Sequence, residues 1–375
     1  MQNKIIVKGA YGQPNFGDDI LMLIINNILV SKNEDFKILV PSKGKYVETL
    51  INEDNVLYKS ESLVKTDFLI FGGGTQFYSF PKTKQNARIQ LIKKIIKNPL
   101  YFFSYFKTRK EVNNSKIEAN NEIALGLGIG PFEGIDSTLV IKNTVATIKK
   151  MKFIMVRDIV SYNFLVDNKI DNIFLANDLC FSPSKFLPFK ITERKRNSEI
   201  KKITFILRDW NHTNDKIHIQ NSIKFIQNNR KNKTYKAINV VLFANDSYCE
   251  KKLIDNNIDY LKWNPNTQNI QGFLNTIYET DLIVSSRYHG VVLSSLVKVP
   301  FLPIEIDPKL SIFTKDIYGE NVGWKYPYSQ DGLKEQIDSI TIKKEKLISH
   351  SEHKTKKYIG LVEESLNTLK SIINE

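Results

Sequence analysis

Short runs of β-branched and aromatic residues alternate along this chain with stretches of helical period. In the first half, such runs lie at 4–9, 35–40, 67–74, 122–130 and 152–158. After residue 200 the pattern begins again, with runs at 201–209, 238–246, 281–290 and 299–307. Strands that alternate with helices are typical of a parallel sheet whose strands are joined by crossover helices. The sequence therefore predicts two α/β domains.

Length and composition agree with two ordinary globular domains. The chain has 375 residues, of which 42% are hydrophobic, and a domain averages about 150 residues. The segment 182–202 carries two prolines and a cluster of charges with little periodicity, as a linker does. We therefore expect an N-terminal α/β lobe at 1–188, a C-terminal α/β lobe at 189–342 and a closing helix at 343–375.

The cysteines and the apolar stretches argue against several classes of protein. Cys180 and Cys249 are far apart in sequence, outside any CxxC motif and outside any Cys/His cluster with metal-ligand spacing. We expect both thiols to be buried and reduced. No stretch is apolar for the roughly 18 residues that a membrane-spanning helix needs, and the amino terminus lacks the apolar core of a signal peptide. The expectation is a soluble, cytoplasmic protein.

The net charge of +14 is unevenly distributed along the chain. Residues 68–110 contain no Asp or Glu, and nine Lys or Arg lie between Lys82 and Lys110, among Ile, Leu, Tyr and Phe. Within this basic segment, 91–107 has the composition of an interfacial amphipathic helix whose lysines would meet anionic lipid head groups. A basic surface helix whose aromatic residues fill the N-terminal core would have the same composition, so both interpretations stay open.

Three glycine-rich segments follow apolar strands in the N-terminal half. They are 8–20, which holds Gly9, Gly12 and Gly17 and ends in Asp18 and Asp19, then FGGGT (71–75) and GLGIG (126–130). Glycine lets a backbone approach a ligand closely, and α/β proteins bind ligands at the carboxyl edge of the sheet. Backbone amides at this edge would form an anion-binding concavity. Alternatively, the glycines only make tight turns, and Asp18 or Asp19 is only a helix N-cap.

Two arginines and one histidine stand out in the C-terminal half. Arg208 ends an apolar run in ILRDW (206–210), and Arg287 and His289 end another in SSRYHG (285–290). A guanidinium group can hold a carboxylate or a phosphate through two parallel hydrogen bonds. On an alternating strand, His289 would share a face with Arg287 and place a proton donor beside a bound anion. The other histidines lie in polar sequence and are expected at the surface: His212, His218, His350 and His353.

Taken together, these motifs resemble the polysaccharide pyruvyl transferase family. In chain order they are the loop GAYGQPNFGDD (9–19), FGGGT (71–75), GLGIGP (126–131), VRDIVS (156–161), ANDLCF (176–181), ILRDW (206–210) and SSRYHGVVLSSLVKVPFLPIEIDPK (285–309). The last motif is the most specific, and the resemblance covers roughly residues 4 to 310. In ANDLCF, Asp178 is followed by Leu179 where the family usually has proline, and the basic segment 82–110 has no counterpart in the family pattern.

The resemblance implies a fold of two Rossmann-like lobes with a cleft between them, like that of GT-B glycosyltransferases. It also implies a ketal-pyruvyl transferase that takes phosphoenolpyruvate as its donor. The acceptor would be a sugar of a bacterial surface polysaccharide or of its lipid-linked precursor, and neither a cofactor nor a metal is expected. A lipid-linked acceptor would bring the protein to the inner face of the plasma membrane, where residues 82–110 would make a peripheral contact with anionic lipid.

Carried over residue by residue, the resemblance implies roles for particular side chains. His289 would be the general acid, and Asp18 would orient or deprotonate the acceptor hydroxyl. The donor would be bound by Arg208, Arg287, Ser286, Tyr288 and Gly290. The acceptor would lie against Asn15, Gly17, Gly73, Gly74, Thr75 and Gly128.

Two other classes of function fit parts of the sequence. A GT-B nucleotide-sugar glycosyltransferase would use the arginines to bind a diphosphate, and Glu305 or Asp307 to bind the ribose. A non-catalytic glycan-binding or nucleic-acid-binding module would use the positive charge alone. Nucleic acid is not the expected partner, because the chain lacks a recognisable helix-turn-helix, zinc finger or aromatic single-strand platform.

Overall fold

A computed structural model of the chain describes residues 3–41, 43–60, 62–80, 117–134, 137–191, 199–210 and 216–374. These residues form two compact units, each of which is described by itself. Unit 1 comprises Met1–Gly12, Leu29–Leu175 and Ile372–Glu375, and unit 2 comprises Gln13–Ile28 and Ala176–Ser371. The basic segment 82–110 and His212 lie outside the described residues, so the expectations for them stay predictions.

Unit 1 contains a seven-stranded parallel sheet with the strand order β3-β2-β1-β4-β5-β6-β7. The strands are β1 (Lys4–Lys8), β2 (Asp35–Val40), β3 (Val56–Tyr58), β4 (Val64–Ser79), β5 (Ile117–Phe132), β6 (Met151–Val156) and β7 (Ile173–Leu175). The helices that follow β1, β5 and β6 are α1 (Phe16–Ser31), α2 (Ser137–Ile148) and α3 (Ile159–Asp167). Two short 3-10 helices lie between β2 and β3, at Lys45–Thr49 and Glu53–Asn55.

The central strands of unit 1 are buried along most of their length. In β1, Ile5, Ile6 and Val7 are all buried in succession, as expected for a parallel strand that is covered on both faces. The strands β4 and β5 pair from Val64 opposite Ile117 to Ser79 opposite Phe132. A continuous apolar run is therefore what places these segments in the middle of the sheet.

Unit 2 contains a five-stranded parallel sheet with the strand order β10-β9-β8-β11-β12. The strands are β8 (Lys202–Leu207), β9 (Ala237–Leu242), β10 (Leu261–Lys262), β11 (Leu282–Ser285) and β12 (Phe301–Pro303). The helices are α4 (Ile217–Asn232), α5 (Ser247–Asp255), α6 (Ile270–Tyr278), α7 (Tyr288–Leu296), α8 (Pro308–Tyr318) and α9 (Gln330–Asn374). Two short 3-10 helices precede β8, at Leu179–Phe181 and Ser184–Phe186.

The two parallel sheets confirm the predicted α/β class, and every strand that the sequence predicts is present. The three strands that it misses, β3, β7 and β10, are edge strands of two or three residues, too short to show a periodic pattern. The closing helix begins at Gln330 instead of 343. The domain limits at 188 and 342 stay predictions, and the compact units differ from them by assigning Gln13–Ile28 and Ala176 onward to unit 2.

Cys180 and Cys249 are both buried, as the sequence predicts. Among the described residues, no helix combines the length and the apolar character that crossing a bilayer requires.

Candidate functional site

The first turn of α1 belongs to unit 2 and is anchored there by aromatic packing. Phe16 is fully buried, and its ring centroid lies 5.1 Å from that of Phe243, 5.0 Å from Trp263 and 4.5 Å from Phe273. The Phe16 N–H donates to the Phe243 carbonyl at 2.9 Å. These contacts hold the residues around Asn15 next to the sheet that carries Arg208 and Arg287, although their sequence lies in the N-terminal half.

Asp18 and Asp19 have different surroundings. Asp19 is fully buried, and its Oδ2 accepts from Trp263 Nε1 at 2.7 Å and from the Asn15 N–H at 3.3 Å. Asp19 is therefore an anchor and cap for α1. Asp18 is half-buried, its Oδ2 accepts from Asn15 Nδ2 at 2.6 Å, and its charge acts on Arg208. Of the two carboxylates, Asp18 is the one beside the cationic group predicted to bind the donor.

Arg208 and Arg287 follow the ends of two neighbouring strands. β8 ends at Leu207 and β11 ends at Ser285, and Ser285 is paired with Ile206 across the sheet. Both guanidinium groups therefore lie at the carboxyl edge of the sheet in unit 2, as the sequence predicts. This edge is the usual ligand-binding edge of an open α/β sheet.

The two guanidinium groups lie close enough to repel each other. The pKa of Arg208 is lowered to about 10, first by burial and then by the positive charge of Arg287. Three carboxylates oppose this shift, namely Asp307, Asp246 and Asp18. Arg287 forms an ion pair through Nη2 with Asp246 Oδ2, and the guanidinium of Arg208 lies 4.2 Å from the centre of the Trp210 ring. The result is a pair of half-buried guanidinium groups at one edge of the sheet, with carboxylates nearby.

His289 does not lie on a strand, so the prediction that it alternates there with Arg287 is wrong. β11 ends at Ser285, and the Ser285 hydroxyl accepts from the Arg287 N–H at 3.0 Å and donates to the Arg287 carbonyl at 2.9 Å. This local turn starts α7 at Tyr288, which places His289 in the first turn of the helix. Gly290 is needed beside the turn, because a Cβ there would lie 2.2 Å from Ser285 Oγ.

Ser286 and Tyr288, which the sequence predicts to bind the donor, also support this turn. Ser286 is fully buried, and its N–H and hydroxyl both donate to the Ile206 carbonyl, at 2.9 and 3.2 Å. The Tyr288 ring packs edge-on against Phe313 and against His289, with centroids 5.6 and 5.7 Å apart. Their donor-binding role stays a prediction.

The imidazole of His289 lies between a carboxylate and a glycine. Its Nε2 is 3.6 Å from Asp178 Oδ2, and the two side chains are 12% and 1% exposed. The ring also lies against Gly17, where an added Cβ would be 2.0 Å from Nδ1 and 2.4 Å from Cγ. Neither neighbour was assigned to His289 from the sequence. They are 111 and 272 positions away along the chain, and no local pattern connects residues so distant.

Cys180 completes a small group with Asp178 and His289. Each of the three offers one donor atom, and these atoms lie within 4.8 Å of one another. Among the described residues, this is the group of His, Cys and carboxylate side chains able to share a metal ion. The sequence-based expectation that the protein uses no metal or cofactor stays a prediction.

The expectation that His218 is a surface group is wrong. His218 is fully buried on the apolar face of α4, and one ring nitrogen lies 3.1 Å from the Arg208 carbonyl. Burial lowers its pKa to about 4, against the opposing effect of that backbone hydrogen bond. The sequence does contain a signal for this burial, because His218, Ser222 and Ile226 recur every four residues and so share one face of a helix. Of the other histidines predicted at the surface, His353 is exposed and His350 is half-buried.

Unit 1 carries the other predicted residues at the carboxyl edge of its own sheet. Gly73 and Gly74 have positive φ angles of 58° and 75°, which favour glycine. Thr75 Oγ1 accepts from Arg157 Nη2 at 2.7 Å, and an added Cβ at Gly128 would lie 2.6 Å from Arg157 Nε. Arg157, which is 4% exposed, was noted only as part of a motif. A buried guanidinium packed across a glycine strand is the feature that sequence inspection missed.

Glu305 and Asp307 are both engaged in supporting the chain after β12. Asp307 caps α8 by accepting from the Lys309 N–H at 3.2 Å, and it pairs with Lys309 Nζ at 3.0 Å. Glu305 Oε2 accepts from the Ser311 hydroxyl at 2.6 Å, and Glu305 Oε1 lies 3.6 Å from Lys325 Nζ. These contacts are those of residues that brace a loop.

Comparison with solved structures places the fold. The chain is similar to MnaA of S. aureus, in a structure with UDP, at 10% identity and a TM-score of 0.58, covering 100% of this chain and 97% of that one. It is similar to Anabaena HepE, in complex with UDP and glucose, at 10% identity and a TM-score of 0.54, covering 99% and 100%. A third likeness is to the UDP-GlcNAc 2-epimerase of Methanocaldococcus jannaschii, at 14% identity and a TM-score of 0.50, covering 90% and 92%.

At these identities the likeness shows the fold alone, and it confirms the prediction of two Rossmann-like lobes of the GT-B type. No curated protein sequence matches the chain. The family model for polysaccharide pyruvyl transferase matches residues 15–308. This match spans more than half of the chain and includes Asn15, Asp18, Asp178, Arg208, Arg287 and His289. The chain therefore belongs to the polysaccharide pyruvyl transferase family.

Proposed function

We propose that this protein is a ketal-pyruvyl transferase that moves the enolpyruvyl group of phosphoenolpyruvate onto two hydroxyls of a sugar. The sugar belongs to a bacterial surface polysaccharide, such as a capsule or exopolysaccharide, or to its lipid-linked precursor. The observation that carries the proposal is the pair of guanidinium groups of Arg208 and Arg287, which repel each other, with His289 two residues beyond Arg287. Two half-buried guanidinium groups whose charges repel each other are stabilised by a bound anion.

Phosphoenolpyruvate matches this site because it carries two anionic groups on a small carbon skeleton. One guanidinium binds the carboxylate and the other binds the phosphate, in either order, through paired charge-assisted hydrogen bonds. Arg287 is oriented by Asp246 and Arg208 lies on the Trp210 ring, so both donors are held before substrate arrives. Such preorganised positive charge neutralises the phosphate as it leaves. The proposed reaction then needs no metal ion.

His289 supplies the proton that starts the reaction. Protonation of the methylene carbon makes C2 electrophilic, and one sugar hydroxyl adds to C2 as its own proton is removed. The bond from C2 to the phosphate oxygen then breaks, and a neighbouring hydroxyl adds to C2 and closes the ketal ring. Of the two hydroxyl protons, one restores His289 and the other leaves with inorganic phosphate.

Asp18 is the proposed base or orienting group for the attacking hydroxyl. It is half-buried, it is held by the Asn15 amide at 2.6 Å, and its charge acts on Arg208. A carboxylate with a fixed direction next to the donor-binding arginines suits this role. We assign the acceptor to the loop that carries Asn15, and the acceptor roles of Gly73, Gly74, Thr75 and Gly128 stay predictions.

The alternative is a nucleotide-sugar glycosyltransferase, which needs a carboxylate for the ribose. Glu305 and Asp307 are the candidates, and both already bond within the loop that they brace. This engagement favours the pyruvyl transferase. Protection from thermal unfolding by UDP, without protection by phosphoenolpyruvate, would favour the glycosyltransferase.

The test is release of phosphate from phosphoenolpyruvate in the presence of synthetic and lipid-linked sugar acceptors. We expect acceptor-dependent release and a product that gains the mass of a pyruvate ketal. Arg208→Ala, Arg287→Ala and His289→Ala each remove most of the rate. Arg230→Ala is the matched control, because Arg230 is an exposed arginine of unit 2 that bonds to the Asn257 carbonyl. Failure of every acceptor to elicit release would refute the proposal.

A lipid-linked acceptor accounts for the basic segment 82–110, whose lysines would hold the enzyme at the inner face of the plasma membrane. The composition of the segment supports this proposal. Flotation with vesicles that contain anionic lipid tests it. Replacing the lysines between 82 and 110 with glutamate should abolish flotation, and unchanged flotation would contradict the membrane role.

A further inference from the structure

Asp178 is a buried carboxylate whose direction is held by its own loop. It is fully buried, its backbone N–H donates to Asn177 Oδ1 at 2.8 Å, and its Oδ1 accepts from the Cys180 N–H at 3.0 Å. This second bond caps the short 3-10 helix Leu179–Phe181. With Oδ1 engaged by the backbone, Oδ2 is the oxygen that lies 3.6 Å from His289 Nε2.

The opposite nitrogen of His289 faces the first turn of α1. The position that a Cβ of Gly17 would occupy is 2.0 Å from Nδ1 and 2.4 Å from Cγ. The imidazole therefore has a carboxylate beside one nitrogen and a glycine, without a side chain, beside the other. The residue after this glycine in the first turn of α1 is Asp18, the proposed acceptor base.

We propose that Asp178 is the positioning residue for His289: its carboxylate, 3.6 Å from Nε2, favours a proton on that nitrogen through its charge, and Nδ1 is the atom that gives its proton to the substrate. The inference rests on the proposed function, because it assigns roles to the two nitrogens of the proposed general acid. The imidazolium loses the Nδ1 proton to the methylene carbon. The neutral ring keeps its proton on Nε2, directed at Asp178, and Nδ1 is ready to take back a hydroxyl proton. A carboxylate that fixes the tautomer of a catalytic imidazole acts in this way.

The substitution Asp178→Asn separates this role from the structural one. The asparagine carbonyl can still cap Cys180, because Asn is as good a cap as Asp. Its amide group then replaces Oδ2 and donates toward His289 Nε2. The imidazole must accept there, which moves the proton to Nδ1 in the neutral ring. Asp178→Ala removes both the cap and the charge.

Kinetic and spectroscopic measurements on variants of the full chain test the proposal. We expect Asp178→Asn to lower kcat for phosphate release by roughly 10²–10⁴-fold, the scale seen when a triad histidine takes the wrong tautomer. The KM for phosphoenolpyruvate should stay within about twofold, since Arg208 and Arg287 are untouched. Asp281→Asn is the matched control: Asp281 is a buried carboxylate that accepts from the Lys201 and Lys202 N–H groups at 3.0 and 2.9 Å, at the amino-terminal end of β8. It should leave kcat unchanged.

The second measurement is the side-chain nitrogen NMR spectrum of the histidines, with the His289 signals assigned by their loss in His289→Gln. We expect the neutral imidazole to carry its proton on Nε2 in the native protein and on Nδ1 in Asp178→Asn. A merely structural role for Asp178 would leave the tautomer as it is. Thermal unfolding should show Asp178→Asn close to the native protein and Asp178→Ala less stable.

The outcomes distinguish this inference from the proposed function. Native phosphate release that Asp178→Asn leaves intact, with an unchanged tautomer, overturns the inference and leaves the function standing. Absence of release in the native protein refutes the function, and the NMR measurement then decides whether Asp178 still sets the tautomer. A metal site is the other outcome. If chelation abolishes the native activity, zinc restores it, and Cys180→Ala lowers kcat as much as Asp178→Asn does, then Asp178, Cys180 and His289 bind a metal ion and the inference is wrong.

Discussion

Replacing Gly17 with alanine should lower the activity by displacing His289, although the histidine itself is unchanged. Gly17 lies in the first turn of α1, and an added Cβ would be 2.0 Å from His289 Nδ1, 2.4 Å from Cγ and 2.8 Å from the His289 Cβ. Real Cβ atoms essentially never approach other atoms closer than 3.0 Å. Since the His289 Cβ is itself too close, rotation of the ring alone does not remove the overlap.

The first turn of α1 is the less movable partner in this contact. Phe16 is enclosed by three aromatic rings, and Asp19 is bonded to Trp263 Nε1 at 2.7 Å. We therefore expect His289 to move, and the nitrogen must retreat by at least about 1 Å to reach the 3.0 Å limit, and by about 1.4 Å to reach an ordinary van der Waals contact. A displacement of about 1 Å in a catalytic group costs roughly 10²-fold in rate.

The assay is acceptor-dependent phosphate release, with kcat/KM measured for Gly17→Ala, His289→Ala and the double variant. The matched control is Gly360→Ala, which also adds a methyl group to a helical glycine but has no atom within 4 Å of the new Cβ. Gly360→Ala should stabilise α9 by up to about 1 kcal/mol and leave activity unchanged. If Gly17→Ala acts only through His289, the double variant should be no slower than His289→Ala alone.

Two results would refute this reasoning. Native kcat/KM in Gly17→Ala would mean that the methyl group fits, so the contact between Gly17 and His289 would not be a constraint. A double variant much slower than His289→Ala would mean that Gly17 acts on the substrate or on Asp18 instead.

Two further predictions concern the buried groups of unit 2. In the folded protein the pKa of His218 is about 4, below the unfolded value of about 6.5, so the stability that its neutral form contributes above pH 6.5 is lost as the pH falls toward 4. The free energy of unfolding in urea should therefore fall by about 2 kcal/mol between pH 7 and pH 5, and this fall should be absent in His218→Asn. An equal fall in His218→Asn would mean that another group causes it. Asp19→Ala should lower the free energy of unfolding by about 1–3 kcal/mol, because the buried Trp263 indole loses its hydrogen-bond acceptor. Asp18→Asn, in contrast, should unfold like the native protein and release phosphate about 10²-fold more slowly. If Asp18→Asn proved less stable than Asp19→Ala, then Asp18, and not Asp19, would be the structural carboxylate.

The positions of Arg208 and Arg287 at the carboxyl edge of the sheet are predictable, because they depend on where the strands end. Arg208 and Arg287 directly follow apolar runs, and such runs form the central strands of both sheets. The prediction that His289 lies on a strand fails for a local reason that the sequence contains. Ser285 bonds to the backbone of Arg287 and starts a helix, a use of serine that competes with continuing a strand. His218 was misjudged because its polar neighbours outweighed the helical spacing of its buried face.

The pair of parallel sheets and the family follow from local features of the amino-acid sequence. A strand buried on both faces must be continuously apolar whatever it touches, and the motifs occur in the family order, so local information was sufficient. The surroundings of His289, in contrast, depend on how distant segments of the chain pack together. Asp178 reaches it from the 3-10 helix at Leu179–Phe181, and Gly17 reaches it from α1. Contacts between residues more than a hundred positions apart depend on the order of strands and the docking of helices, and no local pattern records these.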